Sequence, residues 1–373
     1  MPDNCNVGAA LTPCEAFSQG GLRIMVINYD DNKISYSGRI DFDGDGAHFY
    51  YPATSAAVSF KGSFLSVSIE NKTYWGTLSL GYVIDGRQGR VPLQRFNDEK
   101  TVEYRLTESL DPNQTHTLIL YKMHAANHYF SVKSFETDGE FVAPPEKPDL
   151  KLEFYGDSVS AGEVSEAVDF VGRCDPSSHD SIYDNAWFSY TWQTARLLNA
   201  QIHDIAQGGI AVFDGTGYFD MPDTVGMESV YDKVRYFGGS TTPWNFSRYI
   251  PDAVIFALGQ NDNHNCIEGE PDMDIYDPVY RKKWKDGYKG IVKNVAKHYP
   301  ADTKYIFLTT LLRHDPEWDR AIDEAVNELK SENISAYHFL FKRNGDATDG
   351  HPRIPEHREM AEELSEFIKG IIS

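Results

Sequence analysis

Two successive patterns predict two domains: an N-terminal antiparallel β-sandwich of jelly-roll type, then a C-terminal three-layer α/β/α domain built on a parallel sheet of about five strands. The first pattern is a series of short strand-like runs separated by turn residues, with no helical periodicity. The second is an alternation of apolar runs with amphipathic helical stripes. Between them, Val142-Ala-Pro-Pro-Glu-Lys-Pro-Asp149 carries three prolines and reads as a stiff linker, because each proline fixes its own φ. The expected division is therefore residues 1–142, a linker at 143–149, and 150–373. A chain of 373 residues is also too long for one ordinary core.

In the first domain the strand-like runs fall at 47–51, 56–61, 64–70, 77–84, 90–95, 101–107, 115–123 and 129–135. Lys61-Gly62, Asp85-Gly86 and Asp111-Pro112-Asn113 supply turns between them. The stretch Asp41-Phe-Asp43-Gly-Asp45-Gly46 begins like a calcium loop, but its twelfth position is Pro52, where a bidentate carboxylate is required, so a turn between strands is expected. In the second domain, apolar runs at 152–155, 202–206, 253–258, 305–310 and 336–341 read as buried parallel strands. Trp284, Tyr288, Ile291, Val295 and Tyr299 share a helical face, as do Ile322, Val326 and Leu329, and Met360, Leu364, Phe367 and Ile371.

Composition bounds the function. With 56 acidic against 35 basic residues the net charge is −21, which repels phosphate backbones and anionic lipid, so neither nucleic acid nor membrane is an expected partner. Neutral sugars meet no such barrier, and 22 Tyr, 21 Phe and 6 Trp offer stacking faces. The four cysteines, Cys5, Cys14, Cys174 and Cys266, lack the spacing of a zinc site or a disulfide framework. With no basic segment followed by an apolar one at Met1, a cytoplasmic location is expected, or a secreted one if a signal has been removed. Sequons at Asn71, Asn113, Asn245 and Asn333 carry no weight in a cytoplasmic chain.

Ligands in open α/β sheets bind outside the carboxyl ends of the strands, and the segments there are informative. The first strand, Lys151-Leu-Glu-Phe-Tyr155, runs into Gly156-Asp157-Ser158. The second is followed by Gln207-Gly208-Gly209 and the third by Gly259-Gln260-Asn261-Asp262; near the C-terminus comes Asp349-Gly350-His351-Pro352. Gly-Asp-Ser alone also reads as turn chemistry. Together the four segments meet the needs of acyl transfer through serine, which requires a nucleophile, a base and donors for the oxyanion. Ser158 would attack, His351 would accept and return the proton, and the oxyanion would be held by the N–H groups of Ser158 and Gly209 and the side-chain amide of Asn261.

These four blocks, in this order, resemble the SGNH or GDSL-type serine hydrolases, with Ser158, Gly209, Asn261 and His351 at the four naming positions and Gly208 an alternative by one residue. The preceding sandwich, Tyr36-Ser-Gly-Arg-Ile-Asp41 and Asn185-Ala-Trp-Phe-Ser-Tyr190 make the chain similar to carbohydrate esterase family 2 over nearly its whole length. That resemblance implies an acetyl esterase acting on acetylated xylan, mannan or related oligosaccharides, with 6-O-acetyl a favoured position and no cofactor or metal. The superfamily usually sets its orienting Asp three residues before the His, where this chain has Thr348. Asp349 is the expected orienter, the alternative being a backbone carbonyl and a Ser-His dyad. Trp318 is the first candidate for stacking on the sugar, ahead of Trp187 and Trp244. Competing readings are a lipase or thioesterase on the same fold and a non-catalytic carbohydrate-binding protein.

Overall fold

The computed structural model describes residues 18–19, 22–72, 77–94, 100–125, 128–221, 223–237, 241–266 and 271–372. Cys5, Cys14 and Arg95 fall outside them.

Among the described residues, two six-stranded antiparallel sheets form the N-terminal sandwich. One runs Arg87–Pro92, Ser79–Ile84, His116–Lys122, Ser55–Lys61, Glu140–Val142, with Ser35–Ser37 also paired to Ser55–Lys61. The other runs Thr101–Thr107, Leu65–Lys72, Tyr129–Thr137, Ala47–Phe49, Ile40–Phe42, with Met25–Asn28 also on Tyr129–Thr137. Alternate residues point inward, so Val58 and Phe60, Leu65, Val67 and Ile69, Leu118 and Leu120, and Phe130 and Val132 form one buried core. All eight expected runs contain strands. The additional ones, at Met25–Asn28, Ser35–Ser37, Ile40–Phe42 and Glu140–Val142, are three or four residues long, too short for a periodic signal. The acidic stretch forms the turn between Ile40–Phe42 and Ala47–Phe49. Its carboxylates are turned to protein side chains, Asp43 to the His48 imidazole at 2.8 Å and Asp45 to the Lys133 ammonium at 2.7 Å.

The second domain carries five parallel strands, β1 (Lys151–Gly156), β2 (Gln201–Ala206), β3 (Ala253–Ala257), β4 (Lys304–Phe307) and β5 (Ala336–His338), in the order β2-β1-β3-β4-β5. Helix α1 is a single turn (Ser158–Ala161); α2 (Tyr190–Leu197) and α5 (Ile354–Ile372) cover one face of the sheet, α3 (Pro278–Ala296) and α4 (Glu317–Ser331) the other. The strands are mostly apolar because both faces are covered, with Glu153 of β1 and His203 and Asp204 of β2 as buried exceptions. Leu152 and Phe154 of β1 join the α2–α5 core with Tyr190, Met360 and Leu364, whereas Tyr155 joins Trp284, Tyr288 and Val326. A change in winding direction falls between β1 and β3, which opens a crevice at their carboxyl ends. Among the described residues no helix is long and apolar enough to cross a membrane.

The stretch from Ser37 to Asp41 locks the two domains together. Ser37 donates to the Ile202 carbonyl at 3.0 Å, Thr242 donates to Asp41 at 3.0 Å, and Arg39 is buried against the underside of β1. Its guanidinium reaches Glu153 at 3.0 Å, the Tyr155 hydroxyl at 2.6 Å, and the carbonyls of Tyr231 and Lys233 at 2.6 and 3.1 Å. Gly38 makes the approach possible, having a φ of +104° and a Cα so close to Thr54 that a side chain would collide at 2.8 Å.

Removing one partner of a buried pair leaves the other charge uncompensated, so Arg39→Met should lower the unfolding free energy by about 3–5 kcal/mol. Chemical denaturation followed by fluorescence measures this, and a loss under about 1 kcal/mol would show that Glu153 finds another partner.

Candidate active site

The crevice at the ends of β1, β2 and β3 is where the polar segments converge. At the end of β1, Gly156 is required because any side chain there would overlap the hydroxyl of Ser160. Asp157 then caps the single turn α1, its carboxylate accepting from the N–H of Val159 at 3.0 Å, and Gly162 ends it at φ +77°. Ser158 thus sits on a sharp, doubly capped turn and keeps 7% of its surface accessible. The block Asn185-Ala-Trp-Phe-Ser-Tyr190 braces this turn from behind. Ser189 donates to the Ser160 carbonyl at 2.6 Å, and the hydroxyls of Ser160 and Tyr190 lie 2.9 Å apart.

His351 enters from the segment between β5 and α5. Its Nε2 accepts from the Ser158 hydroxyl at 2.7 Å, and its Nδ1–H donates to a carboxylate at 2.6 Å. That carboxylate belongs to Asp175, not Asp349. Asp175 also accepts the His351 backbone N–H at 2.9 Å and a guanidinium N–H of Arg353 at 2.8 Å. Arg353 is fully buried and donates as well to the carbonyls of His351 and Ala167, so one cation fixes both members of the pair. The Asp349 carboxylate is instead at the surface, paired with Arg313 at 2.9 Å. Gly350 explains the difference. Its Cα packs against Asp175 Oδ1, where an added Cβ would be only 2.5 Å away, so the space beside the imidazole is filled by the loop carrying Asp175.

Burial pushes the His351 pKa down, but the hydrogen bond and charge of Asp175 outweigh it and leave the imidazole above its ordinary value. Burial would raise the pKa of Asp175. Its contacts with His351 and Arg353 reverse that and hold it far below the usual carboxylate range. This is a serine–imidazole–carboxylate line in which the carboxylate stays ionised and sets the tautomer.

The segment after β3 ties the other strand ends together. Gln260 donates to Asp157 at 2.8 Å, Asn261 donates to the Ile210 carbonyl at 3.0 Å, and Asp262 accepts from the Val212 N–H and the Trp284 indole, both at 2.8 Å. Asn261 therefore spends one amide hydrogen on the β2 loop, and for the other no protein acceptor is found among the described residues. Gly209 has a φ of +74°, and no protein acceptor for its N–H or that of Ser158 is found among the described residues. Gly208, the alternative by one position, has its Cα against the carboxyl of Glu163.

Trp318 is not available to a sugar. It is 5% exposed and packs edge-on to Trp284 and Tyr280, because the first turn of α4 points into the core. Trp244 is buried too, and Trp187 stacks on Tyr121 with Arg196 over its ring. Tyr218, beside Gly209, is an exposed aromatic, 52% accessible and stacked on His264 at 4.0 Å. Its N–H donates to the Gly209 carbonyl at 2.8 Å, while the His264 N–H donates to the Asn261 carbonyl at 3.2 Å.

A family model described as the carbohydrate esterase 2 N-terminal domain matches residues 36–145. The cellulase/esterase CelE of Acetivibrio thermocellus is 26% identical over 355 residues, 91% of this chain and 40% of that protein. The chain thus spans well under half of that relative. An acetylxylan esterase / glucomannan deacetylase of Cellvibrio japonicus is 25% identical over 346 residues, covering 92% of this chain and 90% of the relative. Among solved structures, a family two carbohydrate esterase from Clostridium thermocellum in complex with cellohexaose superposes with a TM-score of 0.73 at 26% identity, over 90% of this chain and 98% of that one. The chain is thus similar to the SGNH-type proteins of carbohydrate esterase family 2 over nearly its whole length. In this chain the carboxylate beside the histidine comes from a loop 176 residues earlier.

If Asp175 orients His351, Asp175→Asn should lower kcat for ester hydrolysis by about 10²–10⁴, and Asp349→Asn should change it less than about threefold. The working base is neutral His351, so activity falls as pH drops through its raised pKa; loss of the Asp175 charge lowers that pKa and should move the acid limb of the residual activity to lower pH. Equal losses in the two variants would return the orienting role to Asp349.

Proposed function

We propose that this protein is a carbohydrate O-acetyl esterase that releases acetate from hemicellulose oligosaccharides such as acetylated xylan or mannan, with the 6-O-acetyl group a favoured position. The observation that carries the reading is the continuous line from the Ser158 hydroxyl through His351 to Asp175, at 2.7 and 2.6 Å. Ser158 Oγ attacks the acetyl carbonyl while its proton passes to His351 Nε2, and the charge that forms on the carbonyl oxygen is taken by the N–H groups of Ser158 and Gly209 and the second amide hydrogen of Asn261. The intermediate collapses as His351 returns the proton to the sugar oxygen, which leaves. Water, deprotonated by His351, then attacks the acetyl-enzyme; acetate departs and Ser158 regains its proton.

The names of two relatives, an acetylxylan esterase / glucomannan deacetylase and a cellulase/esterase, support a polysaccharide substrate. So does Tyr218, whose exposed ring is hydrogen-bonded through its backbone to Gly209 and offers a face to a pyranose beside the oxyanion donors.

Acetate release from acetylated xylan and mannan oligosaccharides, beside aryl esters of increasing acyl length, tests the reading. Release should require Ser158 and favour acetyl; a preference for long acyl chains would point to a lipase or thioesterase, and sugar binding with no Ser158-dependent release to a binding protein. Asn261→Ala should lower kcat by about 10²–10³. Tyr218→Ala should raise KM for oligosaccharides about tenfold and leave kcat within about threefold.

A further inference from the structure

Glu163 stands at a position the acyl-transfer line does not use. It follows the Gly162 cap of α1, and its N–H donates to the Ser158 carbonyl at 3.0 Å. Its carboxyl group lies against the Cα of Gly208, so that any side chain at 208 would overlap it. The group is thus wedged between the nucleophile turn and the loop that carries Gly209. No hydrogen bond to that carboxyl is found among the described residues, and in the same cavity Nδ1 of His124 and of His179 are buried with no hydrogen bond found among them. It faces a cavity of about 310 Å³ between the domains, lined by His124 and His128 of the sandwich and by Ser178, His179 and Asp184 of the loop that follows α1.

We propose that Glu163 and the cavity behind it form the subsite for the glycosyl unit that bears the ester, Glu163 hydrogen-bonding one of that unit's hydroxyls. The inference rests on the carbohydrate esterase reading and adds to it a specificity-determining residue. Its chemistry suits a neutral polyol. Burial, the charge of Asp184, and those of Asp157 and Asp175 against the opposing pull of His351 push the Glu163 pKa up to about 8, so at neutral pH it offers one O–H donor and one acceptor. Asp184 accepts from the Val164 N–H at 2.8 Å, with Oδ2 at 3.8 Å from His124 Nδ1; His124 Nε2 accepts from the Ser79 N–H at 3.1 Å, which leaves its proton on Nδ1. Imidazoles, a carboxylic acid and one carboxylate recognise hydroxyl groups.

The test compares kcat/KM for an acetylated xylo-oligosaccharide and for 4-nitrophenyl acetate, which has no sugar hydroxyl, between pH 6 and pH 10. The wild-type sugar reaction should weaken as Glu163 ionises above about pH 8. In Glu163→Gln, which keeps a donor and cannot ionise, that alkaline fall should be absent from the sugar reaction. Glu163→Ala should lower the ratio of sugar-ester to aryl-ester kcat/KM by about tenfold or more, through KM, as expected for a lost hydrogen bond to a bound hydroxyl. An unchanged ratio, or an alkaline limb in Glu163→Gln that coincides with wild type, would overturn the subsite while leaving the esterase reading intact. Ser158-dependent cleavage of the aryl ester with no release from any sugar ester by wild type would overturn both.

Discussion

The buried guanidinium of Arg39 is the contact on which the relation between the two domains turns. It comes from the sandwich, yet its hydrogen bonds go to Glu153 and Tyr155 of β1 and to the carbonyls of Tyr231 and Lys233. Glu153 also receives the Tyr155 and Tyr299 hydroxyls at 3.1 and 2.6 Å, so the carboxylate is held from several sides and the charge pair is compensated at full burial. A buried ion pair adds little net stability when satisfied and costs about 3–5 kcal/mol when one partner is lost, so what it secures is arrangement rather than strength. The strand it grips is the one that ends in Ser158.

From that strand outward, the site is built by cross-bracing among loop ends. The segment after β3 contributes three consecutive polar residues, each reaching a different part of the crevice. Gln260 holds Asp157 beside the nucleophile, Asn261 holds the loop after β2, and Asp262 holds Val212 further along the same loop. The fourth component works differently. His351 is positioned by Asp175 and Arg353 together, and the loop that brings Asp175 can only pack because residue 350 is glycine. The Asp-Gly-His sequence therefore matters to the histidine chiefly through its glycine.

The fold was legible because its signals are local. Runs such as Leu152–Tyr155 and stripes such as Trp284, Tyr288 and Ile291 announce buried strands and helix faces directly, and the strand ends they define led to Ser158, Asn261 and His351. Two parts of the site were not legible, for different reasons. Asp175 lies in an irregular loop with no periodicity, one of 56 acidic residues, and its relation to His351 exists only in three dimensions. A clue was present in Arg353, two residues after the histidine: a cation buried there needs an acidic partner. Trp318 failed because a tryptophan just beyond a strand end fits both a ligand platform and a core anchor. Helix α4 begins with its apolar stripe already inward, whereas Tyr218 stays exposed in a loop without a pattern to single it out.

The same burial that assembles the crevice also shifts the pKa values of its acids. Asp157, Glu163, Asp175 and Asp262 all lie in segments that meet at the crevice, in a chain of net charge −21, and an ionised carboxylate about 5 Å from an oxyanion formed there would cost about 3 kcal/mol at an effective dielectric constant near 20. That is roughly a hundredfold in rate. Burial raises the pKa of Asp157 despite its hydrogen bond from Gln260, carries that of Asp262 up to about 7, and takes Glu163 to about 8. Asp175 alone of the four is pulled the other way, because Arg353 and His351 both meet it. Asp175 lies on the far side of the imidazole from Ser158, the place from which, in the proposed mechanism, a carboxylate stabilises the imidazolium as the serine proton leaves.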